Sequence, residues 1–188
     1  MRTFLPTTPA QLALWRADGV PAGVLGVRAD DGFRLWYTDS DTSGAEHGTP
    51  AELEEELEWA ALQVAAQLSL HELAADPSDP RRVVVSLDAV ADVDDVDLPG
   101  GCRLSAAVPW ARVAAVHLDE QAAAGAVQAA LTAVAPATAA TPATAGTPAT
   151  AGTPATAATP VTVAGDLADP LDKHELLWFS PEESLPGF

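Results

Sequence analysis

Residues 49–88 decide the fold, and they read TPAELEEELEWAALQVAAQLSLHELAADPSDPRRVVVSLD. The first four of them, Thr-Pro-Ala-Glu, have the pattern of a capping box with proline at the first helical position. Apolar residues then recur at helical spacing, which predicts one long helix ending near Ala75. The double breaker DPSDP ends this helix, and the β-branched residues 82–88 that follow predict a strand in the interior of a sheet.

The predicted long helix is apolar on two sides. Residues on the first side recur with the spacing of one helical face: Leu53, Leu57, Ala60, Val64 and Leu68. A second stripe on the opposite side comprises Trp59, Leu62, Ala66, Leu70 and Leu73. A helix with two apolar faces is usually buried between layers or at a subunit contact. We therefore predict that Trp59 is buried, and that Trp59, Leu62 and Leu70 form an interface with a protein partner or with a second copy of the chain.

Strands and helices alternate along the rest of the chain. We predict a helix over residues 9–17 and an alanine-rich helix over 120–134. Besides 82–88, the predicted strands cover residues 2–6, 23–28, 33–37, 103–108, 112–118 and 174–179. This alternation favours an α/β or α+β fold, in which a two-layer domain has a mixed sheet covered by helices.

A hexapeptide repeat interrupts this pattern. Prolines fall at 136, 142, 148, 154 and 160, and the unit is Pro-Ala-Thr-Ala-(Ala/Gly)-Thr. From Pro136 to Ala164 there is no charged residue, aromatic residue or leucine, so the segment cannot bury enough apolar surface to offset its ordering entropy. We therefore predict a disordered linker over 135–164. Because the strand at 174–179 is too apolar to stand alone, we predict that residues 1–134 and 165–188 form a single domain with this linker inserted.

The composition excludes several classes of protein. The chain has 188 residues with 9 basic and 27 acidic side chains, and its net charge of −18 would repel nucleic acid. Cys102 is the only cysteine, which excludes a disulfide scaffold and agrees with a reducing compartment. No apolar run approaches the ~20 residues of a membrane-spanning helix, and no signal-peptide-like stretch follows the N-terminus. We therefore expect a cytoplasmic protein that binds neither nucleic acid nor membranes.

The acidic clusters and the glycines carry no cofactor or metal motif. Five glutamates lie between Glu52 and Glu58, in the first turns of the long helix, where they complement the helix dipole and form a solvated face. The acidic residues 88–97 lack the central glycine and terminal glutamate of an EF-hand calcium loop. No glycine-rich phosphate-binding motif is present. The sequence therefore predicts no cofactor and no tight metal site.

Four polar residues are the candidates for catalysis. His117 and Asp119 are two apart on a predicted strand and share a face, and His174 and Glu175 open the last strand. If the two strands are neighbours, the four side chains converge as metal ligands or as an acid–base set. His71 falls on the first apolar face of the long helix, so we expect a core histidine there.

These observations leave two functional interpretations. The favoured one is a non-enzymatic binding or protein-interaction module, which needs no catalytic motif and uses the stripe that begins at Trp59. The alternative is a small hydrolase-like or metal-assisted enzyme that uses His117, Asp119, His174 and Glu175. A cleft in which those four side chains converge favours the enzyme, whereas an exposed apolar patch around Trp59 favours the module.

Four segments carry a resemblance to a known family. They are residues 1–6 (MRTFLP), 54–62 (EEELEWAAL), 81–85 (RRVVV) and 174–179 (HELLWF). With these motifs the chain resembles a family of small uncharacterised proteins, a domain of unknown function, from high-G+C bacteria. The resemblance covers the two flanks of the hexapeptide repeat. It implies no activity, no cofactor and no catalytic residue.

Overall fold

The computed structural model describes residues 1–40, 49–88, 92–94, 98–134, 171 and 174–186. The described residues form seven strands: β1 (Arg2–Thr7), β2 (Leu25–Arg28), β3 (Val83–Asp88), β4 (Asp92–Asp94), β5 (Gly101–Leu104), β6 (Val113–Asp119) and β7 (Leu176–Phe179). They also form four α-helices: α1 (Pro9–Asp18), α2 (Asp31–Ser40), α3 (Pro50–Ala75) and α4 (Ala124–Val134). The strand predicted at 103–108 corresponds to β5, which begins and ends earlier in the chain.

The seven strands form one sheet in the order β4-β5-β2-β1-β3-β6-β7, and every neighbouring pair is antiparallel. β1 is central, and its register with β3 runs from Arg2 opposite Asp88 to Thr7 opposite Val83. β2 and β3 run in the same direction, because both are antiparallel to β1, but β1 lies between them. The crossover through α3 therefore joins strands that are not neighbours. The α+β alternative is confirmed, and the sheet is antiparallel where the sequence predicts a mixed one.

α3 is the helix that the capping box predicts. Thr49 Oγ1 accepts a hydrogen bond from the Glu52 N–H at 3.4 Å, and Glu52 Oε2 accepts one from the Thr49 N–H at 2.6 Å. The hydrogen bond from the Thr49 backbone lowers the pKa of Glu52, so this carboxylate stays charged at the positive end of the helix. α3 covers one face of the sheet, where Leu57 packs in a cluster with Phe4 and Val84.

α1 covers part of the opposite face of the sheet. Leu12 and Trp15 of this helix are buried in a cluster with Leu5, Val83 and Val85. Successive residues of a strand point to opposite faces, so β1 and β3 contribute side chains to both clusters. The sheet therefore has helices on both faces, which adds a partial third layer to the two layers that the sequence predicts.

The prediction of a strand at residues 33–37 is wrong, because this segment lies in α2. Asp30 caps the helix, and its Oδ1 accepts the Phe33 N–H at 2.8 Å. Phe33, Trp36 and Tyr37 pack in the cluster beneath α3, and their spacing of i, i+3 and i+4 is that of one helical face. The intervening apolar Leu35 is exposed and conceals this spacing in the sequence.

β7 brings the C-terminal segment to the sheet. It pairs with β6 in antiparallel register, with Trp178 opposite His117, as the apolar residues 174–179 predict. Within the described ranges β7 is the last strand of the sheet, so it is an edge strand and not an interior one. The predicted linker, residues 135–164, lies outside the described residues.

Candidate functional site

Asp119 and Arg82 form a buried ion pair where β3, β6 and the C-terminal segment meet. Both carboxylate oxygens accept from the guanidinium, with Nη2 at 2.8 Å from Oδ1 and Nε at 2.9 Å from Oδ2. Oδ2 also accepts the Arg82 backbone N–H at 2.8 Å. The Asp119 side chain is fully buried and that of Arg82 is 3% exposed. These bonds engage both oxygens of Asp119 and join the start of β3 to the end of β6.

Four side chains hold the C-terminal segment through its main-chain carbonyls. Their contacts are Arg82 Nη2 to His174 O (2.9 Å), Trp110 Nε1 to Pro181 O (3.2 Å), Arg16 Nη2 to Glu183 O (3.1 Å) and Arg81 Nη1 to Pro186 O (2.8 Å). Arg81 is buried, and its hydrogen bond to Asp79 raises the pKa of the guanidinium. Leu185 anchors the segment in the cluster that also contains Leu5. Hydrogen bonds to its backbone and the burial of Leu185 together hold this segment on the sheet.

His117 is the buried histidine of the candidate set. It lies on β6 opposite Val84, on the face that α3 covers, and it is 8% exposed. Its ring meets the ring of Phe4 edge-on, with 6.3 Å between centroids. Its Nε2 has no hydrogen-bond partner in the part of the chain that the structure describes. Burial, and then the positive charge of Arg2, lower the pKa of His117 to about 4, so the imidazole is neutral at pH 7.

This histidine should make stability depend on pH. An imidazole in the unfolded chain titrates near pH 6.5, whereas the folded one has a pKa of about 4. As the pH falls from ~6.5 to ~4, the unfolded chain takes up a proton that the folded chain does not. The free energy of unfolding therefore decreases between pH ~6.5 and ~4, by up to about 3 kcal/mol. Denaturant unfolding over this range of pH measures the loss.

Two leucine variants isolate the contribution of His117. His117→Leu removes the buried titrating group, so its stability should fall less steeply below pH 6.5 than that of the parent chain. His71→Leu is the control, because His71 is exposed and not the core histidine that the sequence predicts. An identical pH dependence in the parent and in His117→Leu would show that burial of His117 does not cause the loss.

The structure gives the four candidate catalytic side chains different partners and surroundings. His117 and Asp119 share a face of β6, as predicted, but Asp119 is engaged in its ion pair. His174 Nδ1 lies 3.1 Å from Glu120 Oε1, and Glu175 is exposed. No hydrogen bond among the described residues joins any two of the four. Nor does any group of three histidine, cysteine, aspartate or glutamate side chains in the described ranges have the geometry to hold a metal ion.

Exposed apolar residues lie instead on β7 and on α3. Trp178 is 63% exposed and Leu177 is 45% exposed on β7, while Trp59 of α3 is 61% exposed. Leu62 of α3 and Leu176 of β7 pack against the same core cluster, the one beneath α3. We call the four residues that α3 and β7 contribute the Trp59–Trp178 surface: Trp59, Leu62, Leu176 and Trp178.

The prediction that Trp59 is buried is wrong because only one half of the second stripe of α3 is covered. Leu70 and Leu73, toward the end of the helix, are buried against Val127 and Leu131 of α4. α4 does not cover the first half of the stripe, where Trp59 lies. Leu70 is therefore a core residue, and of the three residues predicted to form an interface only Trp59 and Leu62 reach the surface.

Arg82 and Trp178 are the residues of this region that sequence reasoning missed. Arg82 stands 37 positions from Asp119, and no local pattern joins an arginine before one strand to an aspartate at the end of another. Trp178 lies in a strand that the sequence predicts, and its alternation with Leu177 indicates opposite faces. Its position at the sheet edge, however, follows from the strand order.

Comparison with known proteins places the chain in a family without an assigned activity. The model of a family of unknown function matches residues 1–186. No curated protein and no solved structure matches the chain. This match confirms the part of the resemblance that concerns membership of an uncharacterised family. Among the described helices, none combines the length and apolarity that crossing a membrane requires.

Proposed function

The chain belongs to DUF6912, a family of unknown function, and from the geometry we propose that it is a non-enzymatic protein-interaction module. Its binding site in this proposal is the outer edge of β7, the last strand of the sheet among the described residues, together with the Trp59–Trp178 surface. The observation that carries the proposal is an edge strand, Leu176–Phe179, without a single charged residue.

An edge strand presents unpaired N–H and C=O groups to a further strand. Native proteins usually protect such edges with charged residues, proline or a bulge. β7 contains none of these within its four residues, and its two exposed side chains, Leu177 and Trp178, point to opposite faces. This arrangement supports β-augmentation, in which main-chain hydrogen bonds give affinity and the side chains on alternate faces give specificity.

The charge of the chain favours a basic partner. The net charge is −18, and exposed glutamates flank β7 at Glu175, Glu182 and Glu183. A second copy of the chain would place equally acidic surfaces against each other, and like charges across an interface oppose association. A basic, extended segment with alternating apolar side chains is attracted to the same edge. We therefore commit to such a segment as the partner.

A capped peptide of alternating lysine and valine tests the proposal. Added to the isotope-labelled full chain, it should shift the amide signals of Leu176 and Trp178. The Asp119 N–H donates to the Arg82 carbonyl, so the alternate residues of β6 bond to Leu177 and Phe179, and the N–H groups of Leu176 and Trp178 point to the outer edge. Its affinity should fall as salt is added, since the attraction is between exposed charges. The matched peptide with glutamate in place of lysine should not bind.

Two alanine variants locate the site. Trp178→Ala should weaken binding of the basic peptide at least about ten-fold, because exposed tryptophans commonly anchor interfaces. Leu35→Ala is the control, since Leu35 is an exposed leucine on α2. Equal affinities of these two variants, or binding of both peptides, would contradict the proposed site. Self-association that salt promotes, without peptide binding, would identify a second copy as the partner and overturn the choice of a basic one.

We also propose that residues 1–134 and 165–188 form one domain, with the disordered repeat 135–164 inserted. The pairing of β7 with β6 supports this proposal. So does Leu171, which is buried against Leu131 near the end of α4. That contact brings Leu131 and Leu171, which flank the inserted segment, into one cluster, so a much shorter connection between them would also close.

Replacing residues 136–164 by a short Gly/Ser bridge should leave the fold intact. Loop closure costs only about 0.6 kcal/mol per doubling of loop length, so the free energy of unfolding should change by about 1 kcal/mol. Circular dichroism and thermal melting of the shortened and full-length chains measure the change. A loss of more than about 3 kcal/mol, or a melt that is no longer cooperative, would count against a simple insertion.

A further inference from the structure

A cleft of about 240 Å³ opens at the end of the sheet where β1 and β2 separate. Pairing between these strands stops at Phe4 opposite Val27, and Pro6, two residues further on, has no N–H with which to continue it. α1 and α3 lie on the two faces of the sheet and contribute Trp15 and Glu72 to the walls. No residue of the Trp59–Trp178 surface lines this cleft, and β3 and β6 separate β1 from β7.

Thr7 supplies a buried polar group to the lining. It is 2% exposed, and its hydroxyl has no hydrogen-bond partner among the described residues. A buried hydroxyl without a partner is unfavourable, and a hydrogen bond from a ligand would offset that cost. The Gln11 amide and the Glu72 carboxylate also line the cleft, and neither side chain bonds to another described residue. The cleft thus has polar groups that the described fold does not use.

One base and one acid in the lining indicate the charge of the ligand. The guanidinium of Arg103, on β5, donates from Nη1 to the Gly23 carbonyl at 3.2 Å, which holds it at the rim. Glu72, on α3, contributes one carboxylate. A ligand that contacts both side chains carries an anionic and a cationic group, because an ion of one sign would meet a like charge in the cleft.

The apolar walls and the volume indicate the size of the ligand. Trp15 and Leu25 line the cleft beside the polar groups. Its volume lies below the ~300–1,000 Å³ that drug-sized ligands occupy, so it fits a smaller molecule. We propose that this cleft binds a free α-amino acid with an apolar side chain of the size of leucine. The ligand carboxylate meets Arg103, its ammonium group meets Glu72, and its side chain packs on Trp15.

Titration of the isotope-labelled full chain with L-leucine tests this site. Binding in the millimolar range should shift the amide signals of Thr7, Gln11 and Val24. L-leucinamide lacks the carboxylate and 4-methylpentanoate lacks the ammonium group, and each should bind at least about ten-fold more weakly, because each loses a charge-assisted contact. Absence of these shifts with millimolar L-leucine, or equal affinities for the three compounds, would overturn the proposal.

Variants on one helix separate the site from general effects of charge. Glu72→Gln should weaken L-leucine binding at least about ten-fold, and Glu72 is exposed, so the change should not disturb the fold. Glu55→Gln, at an exposed position of the same helix outside the cleft, should bind like the parent chain. Equal weakening by both variants would overturn the assignment of Glu72. Trp178→Ala should bind L-leucine normally, so failure of this site and failure of the proposed interaction site are distinguishable.

Discussion

Asp119→Ala should lower the free energy of unfolding by about 3–5 kcal/mol, because it breaks a buried ion pair by removing one partner. Arg82 is 3% exposed and cannot reach water without a change in the surrounding structure. In the variant, the Arg82 guanidinium keeps its hydrogen bond to the His174 carbonyl, at 2.9 Å. It loses the carboxylate that accepts hydrogen bonds from Nε and Nη2. The free energy of unfolding therefore falls for two reasons, because hydrogen bonds are lost and because a buried charge is left without its partner.

Urea unfolding at pH 7 measures this loss, and Asp88→Ala is the matched control. Asp88 also pairs with an arginine, Arg2, at 3.1 Å, but both side chains are exposed, so that pair should contribute less than about 1 kcal/mol. The double variant Arg82→Met with Asp119→Leu should recover much of the lost stability, because it removes both charges. Similar midpoints for Asp119→Ala and Asp88→Ala would show that burial does not distinguish the two pairs.

Gly100→Ala should be the second large loss, about 2–5 kcal/mol, because the site combines backbone strain with overpacking. The φ angle of Gly100 is +66°, in the left-handed region that favours glycine. A Cβ atom there would clash with the Arg28 carbonyl oxygen and lie 2.9 Å from Phe33 Cβ. Neither neighbour can withdraw easily, since the Arg28 N–H donates to the Gly100 carbonyl at 2.9 Å and Phe33 is fully buried.

Gly125→Ala is the control for this change. Gly125 lies near the start of α4, is exposed, and has no atom within 4 Å of the position that a Cβ would take. Alanine favours the helix there by up to about 1 kcal/mol, so this variant should melt at the same or a higher temperature. If Gly100→Ala also melts at the parent temperature, the turn before β5 must relax at little cost, contrary to the clash described.

The candidate site could be predicted from the sequence only in parts. The face shared by His117 and Asp119 was predictable, because alternation in a strand is a property of consecutive residues. The engagement of Asp119 by Arg82 was not, since it depends on where β3 ends relative to β6. The exposure of Trp59 was not predictable either, because a stripe of apolar residues on a helix does not show which neighbouring element covers each turn.

The elements that follow from the sequence are those whose causes lie within a few residues. The capping box and periodicity of α3, the β-branched run of β3 and the apolar residues of β7 are all local signals. Strand order, the antiparallel sheet, the edge position of β7 and the buried charges of Arg82 and Asp119 come from the tertiary structure. Local signals select the conformation of a segment, whereas burial depends on contacts between segments far apart in the chain, and sequence spacing does not encode which of those contacts form.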